Sequence, residues 1–274
     1  IQFRESAKSG NDTLHAEGLS KSYGIGNEKR TLFRNVEFDI KRGERVCIIG
    51  PNGTGKTTLL KMIMSQVEPT EGFIKVGHNI HFGYYDQEQT MLNDSFTVIE
   101  EMREAYSLYS DTELRGLLGR FLFKNDDVFK QVSALSGGER ARLALLKLML
   151  SGANVLILDE PTNHLDIASK EVFEDALLDF PGTSVIVSHD RYLLNKVPTS
   201  IYELTQNGIT VYPGNYDYYN EKKAEVTSTN AYMSDLHKNN SVEADAPDDG
   251  SADAKQQRME ERRRNKEAQA EQRR

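Results

Sequence analysis

Lys56 and Thr57 close a glycine-punctuated run, Gly50-Pro51-Asn52-Gly53-Thr54-Gly55-Lys56-Thr57. The apolar residues 46–49 lead into it, and Thr58-Leu59-Leu60-Lys61-Met62-Ile63 follows. Strand, glycine loop and helix in that order are the setting in which G-x-x-x-x-G-K-[ST] binds phosphate. Gly50, Gly53 and Gly55 lack a Cβ, so the backbone can turn back and bring its N–H groups close to phosphate oxygens. Those groups and the positive end of the next helix make a concave anion site. Lys56 supplies a point charge for the β- and γ-phosphates, and the Thr57 hydroxyl suits a Mg²⁺ ion.

Two acids stand at a second such place. The uninterrupted apolar run 155–158 reads as a strand buried on both faces, and it delivers Asp159 and Glu160 to its carboxyl end. There Asp159 would complete a Mg²⁺ shell and Glu160 would polarise an attacking water. A pair of acids at a strand end can also be a turn or a cap. A third stretch, Leu135-Ser136-Gly137-Gly138-Glu139, opens a helix expected over 139–150. Its N-terminus is a further anion site, with a hydroxyl and two glycines that allow close approach. Ser136 and Glu139 also fit a capping box, which needs no ligand.

The rest of the chain has to position these groups. Residues 14–20 and the alternating 35–40 read as strands of an antiparallel segment, with a turn or loop over 24–30. Pro69-Thr70-Glu71-Gly72 reads as a turn, and 73–76 and 80–85 as strands. Helical spacing over 96–106 and 112–123 predicts a small helical insertion, with Asp94, Ser95 and Asp111 as N-cap candidates. Residues 169–178 read as a helix and 184–187 as a buried strand. A hairpin turning at Asn207-Gly208 joins 200–204 to 209–212. The fold class that results is α/β: a parallel core, an antiparallel β subdomain and a helical subdomain over about 88–150.

A net charge of −8 over 274 residues excludes a polycation that binds nucleic acid by bulk charge. The single cysteine, Cys47, cannot form an intramolecular disulfide and reads as a small buried residue, in keeping with a cytoplasmic setting. No apolar run approaches the ~18 residues of a membrane span. The chain begins at Ile1 rather than Met, which suggests a piece of a longer protein. Residues 226–254 carry six acids against one Lys and predict a disordered acidic linker from about 223. Residues 255–274 carry eight Lys or Arg against four Glu and predict a charged helix with no core of its own. A charge run of that kind is usually a solvated face, though local phosphate contact needs no more than such residues.

Taken together, the motifs at 50–57, 155–160 and 135–139 resemble the ATP-binding-cassette ATPases, over roughly residues 14–222. The resemblance implies ATP and Mg²⁺ as cofactors. It implies that Tyr23 stacks on adenine, that the phosphate site extends to Thr58, and that Gln87 belongs both to the metal shell and to the catalytic groups. His189 matches the switch histidine, and residues 163–166 the D-loop. Glu160-Pro161-Thr162-Asn163-His164-Leu165-Asp166 and Ser188-His189-Asp190-Arg191-Tyr192-Leu193-Leu194 resemble the ABC-F subfamily more narrowly. That subfamily places two cassettes in one chain and acts on the ribosome. On this reading 1–13 ends an interdomain linker, and the partner is a first cassette or a second copy. Ser136, Gly137 and Gly138 would close over ATP held by that partner. The ribosome, with its rRNA and tRNA, would be the target, for translation control or for protection against antibiotics. A transport ATPase subunit and a non-catalytic nucleotide-dependent module are the alternatives.

Overall fold

The computed structural model describes residues 9–24, 28–85, 92–163 and 165–225. The chain divides into two compact units, Ile1–Glu221 and Lys222–Arg274.

The first unit holds two sheets. One is antiparallel, in the order β2-β1-β4, from β1 (Asp12–Tyr23), β2 (Arg30–Lys41) and β4 (Glu71–Val76). The other runs β5-β6-β7-β3-β8-β9, from β3 (Arg45–Ile49), β5 (Phe82–Tyr85), β6 (Val155–Asp159), β7 (Thr183–Val187), β8 (Ser200–Thr205) and β9 (Gly208–Pro213). Its first five strands are parallel, and β9 closes the edge antiparallel to β8 through the expected hairpin.

The side-chain period of two decides where the cores sit. Val46, Ile48, Val155, Ile157, Val185 and Val187 face one way, into a cluster shared with α1 (Lys56–Ile63) and the antiparallel sheet. Cys47, Ile49, Leu156, Leu158 and Ile186 face the other way, into a cluster shared with the helices. Both faces of these strands are therefore buried, which is why they read as continuous apolar runs rather than alternating ones. Cys47 lies in that wall, and burial pushes its thiol pKa up.

The helical part contains α2 (Val98–Ala105), α3 (Asp111–Arg120) and α4 (Gly137–Leu150), with 3-10 turns at Asn125–Phe129 and Val132–Ala134. The N-caps differ from those expected. They are Thr97 and Ser110, each closing a capping box with an acid three residues on, Glu100 and Glu113. Reciprocal bonding satisfies two backbone donors at once, so it outweighs a lone Asp94, Ser95 or Asp111. Glu101 of α2, 3% exposed, accepts a hydrogen bond from Lys147 of α4 at 2.5 Å. Removing either partner would strand the other charge at a cost of about 3–5 kcal/mol, which fixes how the two helices pair.

Three boundaries shift. Residues 9–13 are packed rather than a free linker: Gly10 N–H bonds the His78 carbonyl, and Asp12 pairs with Lys41 inside β1 and β2. Glu71 and Gly72 already belong to β4, because their backbone meets β1 at Ser20. After α5 (Ile167–Asp179) and α6 (Arg191–Lys196), residues 216–225 are helical, so helix runs past the end expected near 222. That stretch has neither Gly nor Pro, and it gains a Lys222–Glu225 pair at 2.8 Å. Of the second unit, only residues 222–225 are described. The expected segments at 1–8 and beyond 225, and residues Gln87 and His164, lie outside the described residues.

Candidate functional site

The glycine loop joins the carboxyl end of β3 to α1, and its neighbours dictate its shape. Gly50 has φ 152°, and a Cβ there would sit 2.3 Å from the Leu204 carbonyl oxygen of β8. Gly55 has φ 96°, and a Cβ there would press on Leu32 of β2 at 3.0 Å. Only glycine fits either place. Within the loop the Thr54 hydroxyl donates to the Pro51 carbonyl at 2.9 Å. Gly55 caps α1 without a side chain, and no acid stands in the first turn. The helix thus presents bare N–H groups and an uncompensated positive end to the loop.

Lys56 is buried and donates to the carbonyls of Gly50 at 2.9 Å and Pro51 at 3.1 Å. Burial lowers its pKa, while Glu160 and Asp159 pull it back up. The ammonium is held across the loop, facing the two acids.

Asp159 ends β6, buried between β5 and β7. Glu160 follows with φ 48°, its N–H held by the Val187 carbonyl at 2.9 Å. That bond turns the Glu160 side chain off the end of β7 toward His189, whose Nε2 lies 3.5 Å from Oε1. Burial raises the Glu160 carboxyl above its ordinary range, with His189 opposing and Asp159 adding to the rise. A carboxylate in that state is a better proton acceptor than one in water.

These groups line one cleft of about 630 Å³, within the roughly 300–1,000 Å³ of small-molecule sites. Asn52, Gly53, Gly55, Lys56, Thr57 and Thr58 form one wall, and Asp159, Glu160 and His189 another. Arg30, Leu32, Asn163 and Val187 complete it. Gly50, Pro51 and Thr54 shape the loop from behind. The Thr57 hydroxyl and the Asp159 carboxylate are among the hard oxygen donors here. Among the described residues no cluster of three or more His, Cys, Asp or Glu could cage a metal. Such a donor set fits Mg²⁺, which takes one or two protein ligands and fills its shell with phosphate oxygens and water.

Two expected groups lie elsewhere. Tyr23, 48% exposed, ends β1 opposite Arg30, with the Lys21 ammonium 4.9 Å from its ring centre. Ser136 caps α4, its hydroxyl accepting from the Glu139 N–H while the Glu139 carboxylate accepts from the Ser136 N–H at 2.8 Å. No residue of 135–139 lines the cleft. The capping reading therefore holds within this chain. Further along α4, Arg142 reaches Ser169 at 2.5 Å and Asp166 at 3.7 Å, which ties this helix to the start of α5.

Residues 33–163 match the family described as ABC transporter. The chain is 50% identical over 225 residues to YdiF of Bacillus subtilis, across 82% of this chain and 35% of that protein. It is 39% identical over 249 residues to ABC transporter F family member 5 of Arabidopsis thaliana, across 90% of this chain and 35% of that protein. With the energy-dependent translational throttle protein EttA of Escherichia coli K12 it shares 40% over 227 residues, across 81% and 40%. This chain belongs to the F family of ATP-binding-cassette proteins. The cassette spans about a third of the length of the curated relatives it matches. Its fold is that of the dimeric cassette MJ0796 solved with ADP and Pi in a post-hydrolysis state, at TM-score 0.61 and 23% identity, over 73% of this chain and 98% of that one.

Arg30, Leu32 and Asn163 were not expected at the site. Asn163 falls inside the stretch read as the D-loop. Arg30 and Leu32 share a strand face by their i, i+2 spacing, but nothing in the sequence brings that face to the glycine loop.

Proposed function

We propose that this cassette binds Mg²⁺-ATP in the cleft and hydrolyses it when a second cassette completes the site. The observation that carries the reading is the meeting of Lys56, Thr57, Asp159, Glu160 and His189 around one cavity. Thr57 and Asp159 would hold the metal, which neutralises charge on the β- and γ-phosphates when bound. Glu160, with its raised carboxyl, takes the proton of the attacking water, and His189 beside it orients that water or the γ-phosphate. Gln87, Tyr23 and the loop residues 50–58 keep the roles the family resemblance gives them. Ser136, Gly137 and Gly138, absent from this cleft, serve the nucleotide of the partner, which is a first cassette in the same polypeptide or a second copy.

Closure on ATP and opening on hydrolysis make a switch. We place its target on the ribosome in the cytoplasm, a reading supported by the resemblance to an energy-dependent translational throttle. The test is Glu160→Gln. Phosphate release falls by two orders of magnitude or more, the scale of a lost general base, while ATP binding persists. The same variant sediments with ribosomes only when ATP is present. Normal turnover by Glu160→Gln would remove the catalytic assignment. Co-fractionation with membranes instead of ribosomes would favour a transport subunit, though no helix among the described residues is long and apolar enough to cross a membrane. Translation assays with and without ribosome-targeting antibiotics separate control from protection.

A further inference from the structure

Arg30 opens β2 and lies beside the glycine loop. A Cβ built on Gly53 would lie 3.3 Å from the Arg30 Nη2, so the guanidinium rests against the turn of the loop. Arg30 and Leu32, two apart on one strand, both line the cleft, while Thr31 between them turns away to bond the Ser22 hydroxyl at 3.0 Å. Across the β1–β2 ladder the register partner of Arg30 is Tyr23. Among the described residues no carboxylate pairs with Arg30, although other cations of the chain, Lys41, Arg103, Arg140 and Lys170, each have one. Arg30 is exposed, unpaired by acids among the described residues, and lines the same cavity as Asp159 and Glu160.

We propose that Arg30 is a nucleotide-binding residue of this cassette, contacting the phosphates nearer the nucleoside. This rests on the ATP reading above. Its position decides which phosphates it meets. Lys56, Asp159, Glu160 and His189 gather at the end of the cavity where the terminal phosphate would react. Arg30 stands on the strand whose register partner is Tyr23, between the aromatic and the loop. A planar guanidinium there offers a fork of donors to non-bridging oxygens that ATP and ADP share. The site would then grip a nucleotide with two cations of different kinds. Lys56 acts on the reacting end, and Arg30 on the part that stays behind after hydrolysis.

The test compares Arg30→Ala and Arg30→Lys with the unaltered 274-residue chain, by calorimetry with Mg²⁺-ATP, Mg²⁺-ADP and adenosine as probes. Arg30→Ala weakens ATP and ADP equally, by about tenfold, and leaves adenosine unchanged. Arg30→Lys recovers part of the loss, and the difference between variant and parent shrinks as salt rises. Melting of the nucleotide-free protein stays where it was. Equal ATP affinity in Arg30→Ala and the parent would overturn the assignment. So would a loss confined to ATP, which would put Arg30 at the γ-phosphate. A parallel drop in adenosine binding and in nucleotide-free melting would make Arg30 a support of the hairpin instead. If the parent itself binds no nucleotide, the proposed function fails, and that result is distinct from any of these.

Discussion

Two helices of this cassette start beside glycines, and family resemblance assigns both N-termini to phosphate, yet they are built differently. The start of α1 has no side-chain cap and no acid in its first turn, and Lys56 is its first residue. The start of α4 is closed by its own Ser136 and Glu139 in a reciprocal pair. Burial would raise the Glu139 carboxyl, but hydrogen bonds from Ser136 and the nearby Lys130 hold it below its ordinary range. One terminus therefore depends on an outside anion for compensation, and the other carries its own. A helix end compensated internally needs no ligand to be stable. An end left bare is organised around a ligand.

That contrast can be broken most sharply at Lys56. Lys56→Ala removes a charged donor and the bridge between the Gly50 and Pro51 carbonyls. ATP affinity of the single chain should fall roughly 10- to 100-fold, the size of a lost charged hydrogen bond. Calorimetry that finds no change would dissolve the distinction between the two helix ends. Ser136→Ala should cost about 1 kcal/mol of stability through the lost cap, visible in denaturant titration. It should leave ATP affinity of the single chain untouched, because residues 135–139 do not line the cleft. Its effect on nucleotide should emerge only when two cassettes are present together.

The smallest effect sharpens the comparison through pH. The Glu160 carboxyl is raised in the folded protein, so the fold binds that proton more tightly than the unfolded chain does. Its contribution to stability is present at low pH and is lost as pH rises through the folded value. Glu160→Gln does not titrate. The variant should melt slightly above the parent near neutrality, and the gap should close on acidification. The acid limb of the parent's turnover should likewise lie above the ordinary carboxylate range. For Glu139, held low, the sign reverses: its contribution is present at neutral pH and lost as pH falls through its depressed value. Melting curves of Glu160→Gln and Glu139→Gln across pH, each against the parent, check the two signs together.

How much of this was visible in the sequence depends on how local each cause is. The runs 155–158 and 184–187 were legible because strands buried on both faces leave an unbroken apolar trace. The glycine loop was legible because its residues are contiguous. The helix starts at Thr97 and Ser110 were misplaced, although the acids three residues on, Glu100 and Glu113, carried the signal. Arg30 and Leu32 could not be found this way. Their approach to Gly53 and Gly55 depends on how the antiparallel sheet packs on the far side of α1. Gln87 lies outside the described residues, so its assignment rests on the motif.

The central strands divide their side chains between two interiors, alternate positions of each strand going to one and the positions between them to the other. They act as a party wall, and neither room can be refitted alone. Dropping one residue from 155–158 would swap which chamber the shifted side chains of that strand line and carry Asp159 and Glu160 round to the opposite side. The register of one short β-segment therefore guards the placement of the acids as strictly as their own identity does.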